Sequence, residues 1–261
     1  MFIMKTTTTF CAVLFVSTFI GFMFGCIIEN IPPSPIGKNL VYKQWMPFDY
    51  QPMPIYIITN IWVASVALSV IPLQIASEGI FYALLIILSS KFNDLAESFE
   101  TFDCKSDAQG LKNLVVQYQE LLKISTDIES TFSLSSFLTF IDSSLMMCFT
   151  ILQVFMNQGQ WFRYHGFASF FGIILCHIFF YCYYCQKLQT ANSLVGEKIL
   201  MSNWYESKSR DILRMVQMTA MKSQKSIRLT AMGFTIITME TFTNVASAAY
   251  SYFSFMSSFV D

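Results

Sequence analysis

Charged side chains are scarce in this chain of 261 residues. Lys and Arg contribute 16 and Asp and Glu 17, which together make 13% of the sequence, about half the fraction usual in soluble domains. Hydrophobic residues reach 54% and include 27 Phe, more than one water-exposed domain of this length needs for its core. The composition excludes an ordinary soluble enzyme, and the net charge of −1 gives no basic footprint for nucleic acid.

Residues that carry catalysis or bind metals are also few. The two histidines, His165 and His177, are separated by about 18 Å along a helix, too far to share a metal ion. Cys182 and Cys185 form a Cys-x-x-Cys pair, but no second pair accompanies them, so metal or redox work is disfavoured. No phosphate-binding loop or nucleophile elbow occurs. We therefore expect no enzyme, no cofactor and no metal.

Charge is absent altogether from five long stretches. Each has at least the roughly 20 residues that an α-helix needs to cross a bilayer. They predict an all-α, multi-pass membrane protein with five spans. The first is too long for a secretory signal peptide, so we expect it to be retained. The stretches are Thr6–Ile28, Tyr50–Ser77, Ser143–Phe162, Tyr164–Gln186 and Thr241–Val260.

The basic residues are distributed unevenly over the connecting segments. Thirteen of the 16 lie in one alternating set of segments and three in the other. Because segments rich in Lys and Arg stay in the cytoplasm, the N-terminus is predicted to be cytosolic and the C-terminus extracellular. Prolines crowd residues 29–54, which predicts an extracellular loop there.

These patterns divide the chain into five segments. Residues 1–90 hold two spans and the loop at 29–54, 91–130 form a cytosolic amphipathic segment, and 131–186 hold the third and fourth spans. Residues 187–240 form a cytosolic anchor segment, and 241–261 the final helix. From about Gln109 an apolar stripe at helical spacing predicts a helix running into the third span: Leu111, Leu114, Val115, Tyr118, Leu121, Leu122, Ser125, Ile128 and Phe132.

Some apolar runs are longer than a bilayer. If Leu229–Val260 were one helix, it would measure about 48 Å, against a hydrocarbon core of about 30 Å. Either the helices protrude into the cytoplasm or the last one is broken near Gly233 or Glu240. We expect Glu78, Asp142 and Glu240 at the cytosolic border, since each adjoins a charge-free stretch.

The final stretch is unusually polar for a membrane helix. Small and hydroxyl side chains there indicate close helix packing, whereas a polar stripe can instead line a water-filled path. The residues alone favour packing over a pore. The polar members are Thr241, Thr243, Asn244, Ser247, Ser251, Ser254, Ser257 and Ser258.

Two groups of short motifs resemble the insect odorant receptor family. One is Trp45-Met46-Pro47-Phe48-Asp49, similar to a family motif in the extracellular loop before the fourth helix. The other fills the carboxy-terminal third and resembles the family's most recognisable stretch: Trp204-Tyr205, Met218 and Met221, Lys222-Ser223-Gln224-Lys225, Leu229-Thr230-Ala231, Thr241-Phe242 and Ala249-Tyr250-Ser251-Tyr252-Phe253.

The resemblance implies a fold and a function. The family has seven helices with a cytosolic N-terminus and forms tetrameric, odorant-gated cation channels with a shared olfactory co-receptor in the plasma membrane of olfactory neurons. The five spans here resemble helices three to seven, so an incomplete or alternatively spliced receptor product is expected. The final helix becomes the pore helix, which reverses the preference for packing. The implied pore residues are Glu240, Thr241, Asn244, Val245, Ala248 and Ser251.

The family's odorant pocket lies between helices two, three, four and six, of which helix two has no counterpart here. The resemblance implies that the helices corresponding to three, four and six bind a small volatile molecule through aromatic and apolar side chains. Alternatives are a gustatory-type receptor, whose signature in the last helix is missing, a transporter, and a truncated product without function. The implied ligand-binding residues are Phe19, Phe22, Met23, Tyr56, Asn60, Trp62, Phe167, Phe170 and Phe171.

Overall fold

The computed structural model describes residues 45–102, 108–156, 161–206, 209–225 and 227–258. The first charge-free stretch, Thr6–Ile28, and most of the proline-rich loop lie outside the described residues. So do Phe19, Phe22 and Met23, three of the implied ligand-binding residues.

Three long helices dominate the described part of the chain. They are α1 (Met53–Thr101), α2 (Ala108–Met156) and α3 (Trp161–Met201), with 49, 49 and 41 residues. At 1.5 Å per residue they measure about 60 to 75 Å, roughly twice the thickness of the hydrocarbon core. The expectation that helices exceed the membrane is confirmed, and among the described residues these three are long and apolar enough to cross one.

Helix α1 tolerates a proline in its interior. Pro72 lies within the helix and has no N–H to donate to the carbonyl of Leu68, one turn earlier. Hydroxyl side chains nearby donate to carbonyls of their own helix, as Thr59 does to Ile55 at 2.8 Å and Ser69 to Ser65 at 2.8 Å. These hydroxyl groups are therefore hydrogen-bonded within α1, as polar groups in an apolar environment must be.

The amphipathic stripe of α2 packs as predicted. Leu111, Tyr118, Ser125 and Ile128 are buried, and none of the nine stripe residues is exposed. The hydroxyl of Ser125 donates to the carbonyl of Leu121 at 2.8 Å, so a serine fits on this buried face. The predicted helix from about Gln109 into the third span is confirmed.

The run from Leu229 to Val260 is broken, as one of the two alternatives predicted. After a short 3-10 turn (Trp204–Glu206) and helix α4 (Arg210–Gln224), the chain forms a hairpin of β1 (Thr230–Ala231) and β2 (Thr235–Ile236). Helix α5 (Met239–Ser257) follows. The two strands, which the sequence did not predict, pair antiparallel with Thr230 opposite Ile236.

The described residues divide into two compact units. The first comprises α1 up to Ile80, α2 from Ser143, α3 up to His177 and α5 from Ala246. Its buried side chains mix aliphatic and hydroxyl groups. They are Thr59, Val63, Ser143, Met147, Thr150, Ile151, Ile173, Ile174 and Ala249.

The second unit has an aromatic core. It comprises residues 81–142 and 178–245, and within it Phe81 stacks on Tyr181 with ring centroids 4.8 Å apart. Tyr82 packs against Tyr184 at 5.3 Å. These ring contacts join α1 to α3 in this unit.

A buried hydrogen-bond chain links α2, α3 and α4 in the second unit. The Tyr118 hydroxyl donates to Asn192 Oδ1 at 3.0 Å, and Asn192 Nδ2 donates to the Ser223 carbonyl at 3.1 Å. Burial raises the pKa of Tyr118 to about 12, so the phenol keeps its proton at neutral pH. The three helices are therefore tied by groups whose loss would leave buried partners unsatisfied.

Candidate functional site

The start of α5 is held by two glutamines of α3. Gln186 Oε1 accepts the backbone N–H of Met239 at 2.8 Å, which is one of the N–H groups that a helix start leaves without an intrahelical partner. Gln189 Nε2 donates to the carbonyl of Ile237 at 3.2 Å. These two bonds fix where the final helix begins.

Threonines complete this helix start. Thr241 Oγ1 donates to the carbonyl of Ile236 at 2.6 Å and accepts the N–H of Thr238 at 3.4 Å, the arrangement of a capping box with threonine at its third position. Phe242 packs edge-on against Phe179 of α3, with centroids 5.5 Å apart. Glu240 lies in the first turn, where the helix dipole favours negative charge.

A polar groove lies beside this helix start. Its volume is about 440 Å³, and it lies in the second unit between residues of α3 and the first residues of α5. Neutral polar side chains dominate its lining and Glu240 is its charged member. The polar lining residues are Gln186, Gln189, Thr190, Ser193, Thr238 and Glu240.

The predicted pore residues share one side of α5. Glu240, Asn244, Ala248 and Ser251 follow each other at intervals of three or four residues and are all exposed, so they form one helical stripe. Thr241 and Val245 are half-buried at its edge. Ala249 is buried and marks the packed side of the helix.

Hydroxyl groups near this stripe donate to their own helix. Thr243 Oγ1 donates to the carbonyl of Glu240 at 2.8 Å, and Ser251 Oγ to that of Ser247 at 2.9 Å. Each hydroxyl proton is thereby used inside the helix, which leaves the oxygen lone pairs as acceptors.

On α1 the implied ligand-binding residues do not all share a face. Tyr56 and Asn60 are half-buried beside buried Thr59 and Val63, and Asn60 Nδ2 donates to the Tyr56 carbonyl at 3.0 Å. Trp62 is 57% exposed and points away from this packed side. On α3, Phe167, Phe170 and Phe171 are all half-buried.

An ionisable pair joins α1 to α3 within the first unit. His177 Nε2 lies 3.0 Å from Glu78 Oε1, and each side chain is 15% exposed. Gln74, one turn earlier on α1, donates to the same carboxylate oxygen. Asp142 and Glu240 are exposed, as expected at a membrane border. Glu78 differs from them because α3 supplies it with a partner.

The pair also sets the relative depth of the two ligand sets. The α1 set, Tyr56 to Trp62, lies about 24 to 33 Å before Glu78 along its helix, whereas Phe167 to Phe171 lie about 9 to 15 Å before His177. The two sets therefore lie at different distances from the pair. Counted back from the pair, the three phenylalanines of α3 lie at the same distance along their helix as Leu68 through Pro72 on α1.

The contacts of Gln186, Gln189 and His177 do not follow from the sequence. Gln186 ends a charge-free stretch and Gln189 falls in the predicted cytosolic segment, and the one related pattern is that polar residues at 186, 190 and 193 repeat at helical spacing. That stripe was the available signal. Nothing in the sequence paired His177 with Glu78, because their separation in the chain is large. Across the ranges that the structure describes, no cluster of His, Cys, Asp and Glu suited to a metal ion was found.

Three long helices that are apolar enough to cross a membrane define an all-α multi-pass membrane protein. A sequence model of the family described as 7tm Odorant receptor matches residues 1–250. The chain belongs to this odorant receptor family.

Curated relatives agree with this assignment. Odorant receptor 82a of Drosophila melanogaster is 26% identical over 240 residues, which cover 88% of this chain and 61% of that protein. Odorant receptor 9a of the same organism is 23% identical over 241 residues, 90% of this chain and 60% of that protein. The chain thus spans less than two thirds of the length of both relatives.

Solved structures show the same fold. The insect olfactory receptor OR5 from Machilis hrabei superposes with a TM-score of 0.73 at 20% identity, covering 97% of this chain and 67% of that one. Its complex with eugenol gives a TM-score of 0.74 at 19% identity, covering 95% of this chain and 66% of that one.

Proposed function

We propose that the chain is an odorant receptor subunit that binds a small apolar volatile and gates a nonselective cation path together with an olfactory co-receptor. In this proposal it lies in the plasma membrane of olfactory sensory neurons, with the path lined by α5. The observation that carries the proposal is the exposed polar stripe of α5, from Glu240 through Asn244 and Ala248 to Ser251.

The stripe is unsuited to lipid. A carboxylate or carboxamide in hydrocarbon is costly, so such side chains in membrane helices face protein or water. In keeping with its polar side chains, α5 is not among the helices that are apolar enough to cross a membrane unaided. A water-filled path along this face accounts for both features.

The path would favour cations. Since Thr243 and Ser251 use their hydroxyl protons within the helix, their oxygens keep lone pairs as acceptors that can replace water around a cation. With the N-terminus of the chain cytosolic, Glu240 lies at the cytosolic mouth, where a carboxylate raises the local cation concentration.

The pocket in this proposal is built on the half-buried phenylalanines of α3. The proposed pocket includes the part of α1 from Leu68 through Pro72, inward of Tyr56 and Asn60, and the contact of Glu78 with His177 supports this choice. A volatile bound there would be held by burial of apolar area, about 25 cal/mol for each Å². Its binding opens the path only if it contacts the open arrangement better than the closed one.

Cysteine substitutions at two neighbouring alanines of α5 test the proposed path. Ala248 is exposed and Ala249 is buried, so Ala248→Cys places a thiol in the path and Ala249→Cys places it on the packed side. Each variant is expressed with the co-receptor, and current is recorded with eugenol and a panel of volatiles before and after a charged, membrane-impermeant thiol reagent. We expect block of Ala248→Cys alone.

The current of the unmodified chain expressed with the co-receptor is the baseline. Currents of the chain alone and of the co-receptor alone are recorded as further controls. Equal block of both variants, or of neither, would contradict the assigned pore face. Absence of any odour-evoked current from the unmodified pair, beside a working family member, would overturn the channel proposal for this chain.

A further inference from the structure

The hairpin before α5 presents an apolar tip and lies beside apolar side chains of α2. Phe234 is 78% exposed and stacks on Phe137 of α2, with centroids 5.4 Å apart and planes 24° apart. Around them Met232, Leu134, Leu138 and Ile141 are exposed as well. We call these five exposed residues, Phe234, Met232, Leu134, Leu138 and Ile141, the hairpin patch.

The tip keeps an apolar residue at a strained position. Met232 has φ 50° and Gly233 φ 75°, and the turn is closed by the N–H of Phe234 donating to the Ala231 carbonyl at 3.0 Å. Two successive positive φ values favour Asn-Gly, and a methionine there costs about 1 kcal/mol or more. A residue retained against local preference points to a use for its side chain.

The hairpin is also bonded firmly to α2, which fixes its height along that helix. The N–H of Met232 donates to Ser133 Oγ at 2.9 Å, and Thr230 Oγ1 donates to Glu129 Oε1 at 2.9 Å. Phe137, beneath the tip, precedes Ser143, the first residue of a charge-free stretch, by about 9 Å along the helix. The tip is therefore within about 9 Å of the hydrocarbon edge.

That distance matches the headgroup layer of a bilayer, into which apolar side chains of surface-bound segments reach by about 5 to 10 Å. The neighbours suit the same layer. Lys225 and Arg228 are exposed just before β1, and Asp142 is exposed just after Ile141. Basic side chains beside an apolar tip favour the anionic surface of a cytosolic leaflet.

We propose that the hairpin patch is a membrane anchor that inserts Met232 and Phe234 between phospholipid headgroups next to the start of α5. The occupant is the lipid surface, because the exposed apolar residues of α2 in the patch continue at helical spacing to exposed Leu145 inside its charge-free stretch, with Asp142 at the border. The anchor holds the segment from which α5 begins at a fixed depth. This inference needs the membrane-spanning fold and not the channel activity.

Tryptophan fluorescence in lipid vesicles tests the anchor. Phe234→Trp and Leu138→Trp place the probe in the patch, and Met218→Trp, at an exposed methionine of α4, is the matched control. The full chain is reconstituted in phosphatidylcholine vesicles with or without bromine near the top of the acyl chains, and the emission of the parent, which has four Trp, is subtracted.

We expect brominated lipid to remove most of the added emission at 234 and 138 and none at 218. If neither patch probe is quenched, protein covers the patch, either a second copy of the chain or another part of the receptor, and the anchor is overturned. Quenching at 218 equal to that at 234 would overturn it as well. If one patch variant does not reconstitute, the other decides alone.

Discussion

Gly196 shows how closely a single residue constrains helix packing in the second unit. A Cβ atom added there would lie 1.8 Å from Ser223 Oγ and 2.9 Å from Ser223 Cβ, so only glycine allows α3 and α4 to meet at this point. Ser223 is buried and its hydroxyl donates to the Ala220 carbonyl at 2.8 Å. A shift of Ser223 would disturb this bond and the one that its carbonyl accepts from Asn192.

Gly196→Ala should therefore loosen the packing of α4. We expect a loss of about 1 to 3 kcal/mol, typical of overpacking, measured as a lower unfolding temperature of the purified chain in detergent. Gly172→Ala is the matched control, because nothing lies within 4 Å of its added methyl group and alanine favours the helix. Equal destabilisation by both substitutions would show that the close approach does not matter.

At the scale of single residues, the polar face of α5 is predictable from the sequence but the contacts that hold its first turn are not. Glu240, Asn244, Ala248 and Ser251 could be placed on one face from their spacing alone. The hydrogen bonds of Gln186 to Met239 and of Gln189 to Ile237 could not be predicted. They depend on the path of the hairpin, which no periodic pattern in the sequence indicates.

Among the elements, long helices followed from their patterns and the hairpin did not. The stripe from Leu111 to Phe132 predicted both the existence of α2 and its buried face. Two-residue strands such as Thr230–Ala231 are too short to show alternation. Gly233, which has a positive φ, indicated where the last apolar run is broken. It did not indicate that a β-hairpin forms there.

Within the first unit, one ionisable pair joins α1 to α3. Removing one partner of a largely buried pair takes away a stabilising contact of the other, whereas removing both is better tolerated. We expect Glu78→Ala and His177→Ala each to lower the unfolding temperature, and the double variant to lose less than their sum. The coupling should be about 1 kcal/mol, as for polar contacts between membrane helices.

Asp142→Asn is the control for loss of an exposed carboxylate, and it should change the unfolding temperature little. Additive losses in the double variant would show that Glu78 and His177 act independently despite their 3.0 Å separation.

For the molecule as a whole, the distribution of charge matters more than its amount. Scarce charge predicts a membrane protein, and its absence from 143–162 and 164–186 marks apolar stretches of α2 and α3, two of the described helices that are long and apolar enough to cross a membrane. The number of spans stays a prediction, because Thr6–Ile28 lies outside the described residues and α5 is too polar for hydropathy to identify it. Odorant specificity stays outside what spacing alone can predict.

A whole-molecule prediction concerns ion permeation in the receptor assembled with its co-receptor. If α5 lines the cation path as proposed, Glu240→Gln should reduce the preference for cations over anions, because the proposed mouth loses the carboxylate that concentrates cations. Shifts of the reversal potential in salt gradients measure this preference. Asp211→Asn, which removes another first-turn carboxylate on α4, should leave it unchanged. An unaltered preference in Glu240→Gln would make Glu240 a structural residue.

The two glutamines that hold α5 bear on the order in which the protein is made. The partners of Met239 and Ile237 precede them by 53 and 48 residues, so Gln186 and Gln189 leave the ribosome well before the segment that they receive. The segment that starts α5 then meets acceptor groups that are already in place on α3. We expect assembly of the chain to end with a docking step, in which α3 receives the start of the last helix.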